Sequence, residues 1–281
     1  MSGPIGVYDS GFGGLSVLRE LRRTLPTHDF VYLGDSGRAP YGGRDVHTIL
    51  DMAEQCVERL FHEGCAVVVV ACHTVSSVAL RHLQRRYGAG ERRVLGVTIP
   101  AAECAVGVTR GHIGLLGTAR TVASGTFATE VHKLSGARVT ELAAPLLAPI
   151  VEEGWEETEV ARAAVRRYVH ALGAVDTLVL GCTHYPLLRQ AFEGALGPEV
   201  TLLDPAPFVA RRLADWLERH PGFATPGTGR LRALSTGDPE RFAQLGERFL
   251  GEPLHEVEYV AEVDGRLVPT TRVVHVGQVV R

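Results

Sequence analysis

Short apolar runs alternate with amphipathic stretches along most of this 281-residue chain, and that rhythm leaves few folds open. Runs at 4–8, 29–34, 66–71, 94–97, 112–116, 138–142, 177–181 and 200–203 read as strands. Helices are expected at 14–25, 46–62, 75–87, 100–109, 121–134, 145–153, 158–172, 186–195, 206–219 and 238–249. In the first of these, Leu15, Val17, Leu18, Leu21 and Leu25 fall on one helical face. Strands separated by helices pair in parallel, with helices covering both faces of the sheet. The fold class is therefore α/β with mainly parallel sheets. The run Val67-Val-Val-Val70 shows no polar alternation, as expected of a strand covered on both sides.

The second half echoes the first. Ile5-Gly-Val-Tyr-Asp-Ser-Gly11 resembles Ile113-Gly-Leu-Leu-Gly-Thr-Ala119, a displacement of 108 from residue 5 to residue 113. Val67-Val-Val-Val-Ala-Cys-His-Thr74 faces Leu178-Val-Leu-Gly-Cys-Thr-His184, a displacement of 110 from Cys72 to Cys182. Two landmarks at nearly one interval predict a duplicated α/β unit with a cleft between the copies. The tail differs: 220–230 is a Gly- and Pro-rich loop, and the pattern around Asp264-Gly265 predicts a β-hairpin at an edge or interface.

Composition removes several classes of function. The net charge of −3, with basic residues scattered along the chain, argues against nucleic acid and against an anionic membrane. No segment is long enough to span a bilayer, and the first residues lack a secretory pattern. The five cysteines are odd in number, widely spaced and free of any Cys-x-x-Cys pair, which points to reduced cytoplasmic thiols. Lys133 is the single lysine and sits in no motif, which argues against a pyridoxal Schiff base.

Cys72 and Cys182 each end a buried-type strand and precede a polar turn and a helix. That places both sulfurs where open α/β sheets bind ligands, near helix starts that favour a thiolate. Cys56, Cys65 and Cys104, within or beside helices, read as small apolar residues instead. Zinc held by Cys72, His73, Cys182 and His184 lacks the regular close spacing of such sites, so no metal is expected. Asp9-Ser-Gly-Phe-Gly-Gly14 and Gly117-Thr-Ala-Arg-Thr121 open the two units' first helices, either as anion cradles or as helix caps. Gly34-Asp-Ser-Gly-Arg-Ala-Pro-Tyr-Gly42 is either a substrate wall or a tight connection.

Taken together, Val7–Val17, Gly34–Gly42, Ala71-Cys-His-Thr-Val-Ser76, Gly117–Ser124 and Gly181-Cys-Thr-His-Tyr-Pro-Leu-Leu188 resemble the cofactor-independent aspartate/glutamate racemase family, in that family's order. The resemblance runs from about residue 4 to about residue 250. It implies two pseudo-symmetric flavodoxin-like domains across an active-site cleft: residues 1–97 plus 207–281 with Cys72, and 98–206 with Cys182. It further implies that the two thiols interconvert L- and D-glutamate for peptidoglycan synthesis in a bacterial cytoplasm, with no cofactor and as a homodimer. By the same resemblance Asp9 assists Cys72, while His184 and Glu152 assist Cys182. Asp9, Ser10, Tyr41, Gly42, His73, Thr74, Thr118, Thr121, Thr183 and His184 match positions that hold the substrate.

One position departs from the pattern. The family usually carries Asn after the first cysteine, and this chain has His73, which leaves another amino acid such as aspartate open as the substrate. A cysteine hydrolase using Cys72 with His184, and a non-catalytic amino-acid binding protein, are the other readings.

Overall fold

A computed structural model describes residues 3–275. Among these residues, eleven strands form two sheets. They are β1 (Ile5–Asp9), β2 (Phe30–Gly34), β3 (Val67–Val70), β4 (Arg93–Gly96), β5 (His112–Gly117), β6 (Arg138–Ala143), β7 (Thr177–Gly181), β8 (Thr201–Leu203), β9 (Leu231–Ser235), β10 (Glu256–Val263) and β11 (Arg266–His275). The larger sheet runs β11-β10-β9-β2-β1-β3-β4 and the smaller β6-β5-β7-β8. Every neighbouring pair is parallel except the hairpin β10–β11.

The order β2-β1-β3-β4 in one sheet is the order β6-β5-β7-β8 in the other. The internal echo in the sequence is thus a repeat of topology. Cys72 follows β3 and Cys182 follows β7, which occupy equivalent places beside β1 and β5.

The expected strands are present because their side chains have nowhere else to go. All four valines of β3 are buried, each contributing roughly 1.5–3 kcal/mol of transfer free energy. Helix limits follow local chemistry. Thr158 caps the helix Glu159–Leu172 by accepting from the Ala161 N–H. Asp238 caps Pro239–Leu250, which stops at the left-handed Gly251 (φ 83°).

Four expectations are corrected. The helix expected at 75–87 begins at His73 and breaks at Ala79 into His73–Val78 and Leu80–Tyr87. The helix expected at 121–134 is two, Ala119–Ser124 and Thr126–Leu134, because Gly125 turns left-handed (φ 59°) between them. The helix expected at 186–195 is a 3₁₀ turn, Tyr185–Leu188, followed by Arg189–Glu193; Pro186 lies in its first turn, where a missing N–H costs nothing. Strand β9 was not expected at all. Leu231-Arg-Ala-Leu-Ser235 has no β-branched residue, and it extends because β2 pairs with it throughout, from Phe30–Leu231 to Gly34–Ser235. The hairpin turns at Asp264-Gly265 as expected, and β11 forms one edge of the larger sheet.

Candidate active site

At the carboxyl end of β3 the chain leaves the sheet through Ala71 and Cys72, and Cys72 is the residue preceding the helix His73–Val78. From the equivalent end of β1, Ser10 places its Oγ 3.3 Å from Cys72 Sγ. Burial drives the Cys72 thiol up to about 12, the nearby Asp9 charge adds to that, and the Ser10 hydrogen bond opposes it. Asp9 is fully buried. Its carboxylate accepts from the Gly11 N–H (2.9 Å) and, more loosely, from the Thr183 hydroxyl (3.4 Å). Burial raises the Asp9 pKa, against the pull of the His184 charge and the N–H groups of Gly11 and Gly14.

Cys182 has a different neighbour. His184 Nδ1 lies 3.8 Å from its sulfur, and His184 Nε2 lies 2.9 Å from Glu152 Oε1 on the helix Leu147–Glu152. Burial alone would depress this imidazole, but its bonds to Cys182 and Glu152 carry it up to about 10. For Glu152 burial pulls upward, and the bond and charge of His184 override it and lower the pKa. The result is a chain of buried sulfur, buried imidazole and partly exposed carboxylate able to store and pass one proton. Phe249 stacks edge-on against the His184 ring at 5.2 Å and helps fix its plane.

Both thiols open onto one cavity of about 60 Å³. Ser10, Tyr41, Gly42, His73, Thr74, Thr118, Glu152, Thr183 and His184 line it too, together with Gly11, Ala39, Pro40 and Ala148. Thr121 does not line the cavity but stands behind it, in a hydroxyl cluster with Thr74 (3.3 Å) and Thr118 (3.0 Å). Asp9 also stays out of the cavity wall. The Gly34–Gly42 stretch is therefore a wall and not merely a connection. Asp9 does not cap the first helix, Leu15–Thr24, whose N-cap is Gly14 with no side-chain cap, whereas Thr118 does cap the helix Ala119–Ser124.

The wall is held from outside the cavity. Buried Asp35 accepts from Arg38 Nε (2.9 Å), the Thr236 hydroxyl (2.6 Å) and the Tyr41 hydroxyl. From the other half of the molecule, Arg120 donates its N–H to the Gly42 carbonyl (3.0 Å) and its Nε to the Arg44 carbonyl (2.8 Å). Two glycines permit this closeness. A Cβ on Gly13 would lie 2.3 Å from Thr183 Oγ1 and 2.6 Å from His184 Nδ1, and one on Gly42 would lie 2.9 Å from the Thr118 Cβ.

His73 borders the cavity beside Cys72, and burial lowers its pKa to about 4, so it is a neutral imidazole at ordinary pH. The residues sequence reasoning missed are those of the support: Asp35, Arg38, Arg120 and Phe249. Among the described residues no three His, Cys, Asp or Glu side chains gather as a metal site. Lys133 pairs with Glu130 (2.8 Å) and does not line the cavity. No helix among them is long and apolar enough to cross a membrane.

Comparison with known proteins adds an independent line. The family model described as Asp/Glu/Hydantoin racemase matches residues 6–213. A glutamate racemase of Thermus thermophilus is 43% identical over 259 residues, spanning 92% of this chain and 96% of that protein. The crystal structure of a glutamate racemase from Bacillus anthracis superposes with a TM-score of 0.86 at 34% identity, over 94% of this chain and 98% of that one. The glutamate racemase of Francisella tularensis, solved in complex with D-glutamate, gives 0.85 at 28% identity over 92% and 98%.

Proposed function

Because this chain belongs to the Asp/Glu/Hydantoin racemase family, we infer that its cavity interconverts L- and D-glutamate. The observation that carries the reading is the pair of thiols, each at the end of an equivalent strand, bordering one small cavity. Enantiomers have equal free energies in water, so the catalyst must lift the α-proton from one face and deliver a proton to the other. Cys72 and Cys182 are the two bases, one acting as thiolate while its partner donates as thiol, and the roles exchange with the enantiomer.

His184 and Glu152 move the proton at Cys182. Ser10 holds Cys72, and Asp9 acts on Cys72 through its charge. The α-proton is far less acidic than any side chain, so the carbanion needs strong local stabilisation. Hydroxyls of Ser10, Thr74, Thr118 and Thr183 supply dipoles for the two carboxylates, with Tyr41 and Gly42 fixing the wall and Thr121 backing it. His73 is a neutral hydrogen-bonding partner on the Cys72 side. The Gly42–Arg120 hydrogen bond holds the cavity wall against the other half of the molecule.

The same reading assigns D-glutamate supply for peptidoglycan in a bacterial cytoplasm, no cofactor, and a homodimer, the last checked by sedimentation. It divides the chain into residues 1–97 plus 207–281 and residues 98–206. The deciding experiment is to add the protein alone to L-glutamate in deuterated water. Optical activity should vanish, and the D-product should carry deuterium at the α-carbon. Tight binding with unchanged rotation overturns the reading, and faster turnover of aspartate reassigns the substrate.

A further inference from the structure

A second cavity, of about 390 Å³, shares no lining residue with the thiol cavity and opens between the helix Val46–His62 and the C-terminal hairpin. Its size is that of an ordinary small-molecule site. The hairpin side is Arg266, Leu267 and Val268, from a segment the motif resemblance does not reach. The opposite side brings Gln55, Glu58, Arg59, His62 and Arg92.

Three arginines converge here against one carboxylate. Glu58 is already engaged: it accepts the Tyr87 hydroxyl at 2.7 Å and lies 3.6 Å from Arg86. The Arg92 guanidinium stacks over the Phe61 ring at 4.8 Å, which orients its fork without neutralising it. Among the described residues, neither Arg92 nor Arg266 forms an ion pair with a carboxylate. Arg59 pairs with Glu63 through Nη2, yet its Nε is buried with no partner, a state that costs free energy unless something accepts from it. The Gln55 side-chain oxygen is taken by Arg38, which leaves its NH₂ to donate. The cavity thus offers forked donors, an amide donor and an apolar edge, and lacks acceptors to match.

We propose that this cavity is a second ligand site, for a small molecule carrying a phosphate or pyrophosphate group. Arginine forks match phosphate oxygens bidentately, and three of them around one cavity suit a doubly or triply charged oxyanion better than a single carboxylate.

The test is calorimetric titration of the full chain, at physiological salt, with inorganic pyrophosphate and separately with ADP. Saturable binding is expected. Binding should weaken at least about tenfold in the double variant Arg92→Ala/Arg266→Ala, since two charged contacts are lost. Undiminished glutamate turnover in that variant certifies its fold, and Arg266→Gln alone repeats the measurement should the double variant not fold. Tighter binding of ADP than of pyrophosphate identifies a phosphate ester as the ligand, and the reverse identifies free pyrophosphate. Titrations that do not saturate at millimolar ligand, or that match between wild type and variants, overturn the proposal.

Discussion

The two thiol stations share a backbone plan and differ in everything that handles a proton. Cys72 and Cys182 leave equivalent strands and border one cavity. Yet Cys72 meets a hydroxyl, Ser10 at 3.3 Å, and the Val75 N–H, while Cys182 meets an imidazole backed by a carboxylate. The histidines make the contrast plain. His73, one residue past its cysteine, is held at about 4 by burial, whereas His184, two residues past its cysteine, is carried up to about 10 by its partners despite burial. A duplicated fold supplies two places for a sulfur. The partners beside each sulfur differ, a hydroxyl and a buried carboxylate at Cys72, an imidazole and a partly exposed carboxylate at Cys182.

The sharpest way to break this comparison is to remove each sulfur in turn. Cys72→Ser and Cys182→Ser should each lower kcat for racemisation by roughly 10²–10⁴-fold, in both directions, because each direction needs both groups. Polarimetry from pure L- and pure D-glutamate measures this. A Cys182→Ser enzyme that keeps most of its activity would mean that one nucleophile suffices and that the stations are not a pair.

Next in size is Glu152→Gln. Losing a charged hydrogen bond worth about 1.5–3 kcal/mol should cost on the order of 10- to 100-fold in kcat, with KM changing less. The same variant has a signature in stability. His184 stands above the ordinary imidazole value of 6.5, so its contribution to folding is full below 6.5 and is lost as pH rises through about 10. In Glu152→Gln the fall in Tm above pH 6.5 should be smaller and should end at lower pH, because one cause of the elevation is gone.

The smallest effect belongs to His73→Asn, which trades one neutral hydrogen-bonding group for another. A change in kcat/KM of about two- to tenfold is expected, with glutamate still preferred over aspartate. Because the folded pKa of His73 lies below the unfolded one, wild-type stability drops as pH falls from 6.5 toward 4. Tm of the Asn variant should decline less over that window, and an identical acid profile would show that His73 is not buried neutral.

How much of this could be read from the chain depended on the range of the interaction. Cys72 and Cys182 were legible because a run of buried-type residues followed at once by polar ones is a local signal. Gly34–Gly42 left wall and connection open, since only the approach of Thr118 and Arg120 from the other half makes it a wall. Asp35 and Phe249 were invisible for the same reason: each has a partner distant in sequence, Thr236 donating its hydroxyl to Asp35 and His184 meeting Phe249 through ring contact. Glu152 came from the family resemblance alone; nothing in its local sequence points to His184, 32 residues on. Strand β9 escaped because its extension is imposed by β2, not by its own residues.

The matched strand orders of the two sheets carry a consequence for handedness. A pocket treating mirror-image ligands alike would ideally be its own mirror image, which a polymer of L-residues can never be. Repeating one unit and bringing a strand end of each copy to one cavity is the nearest available substitute, since like groups can then approach a tetrahedral carbon from two sides without inverting any stereocentre in the protein.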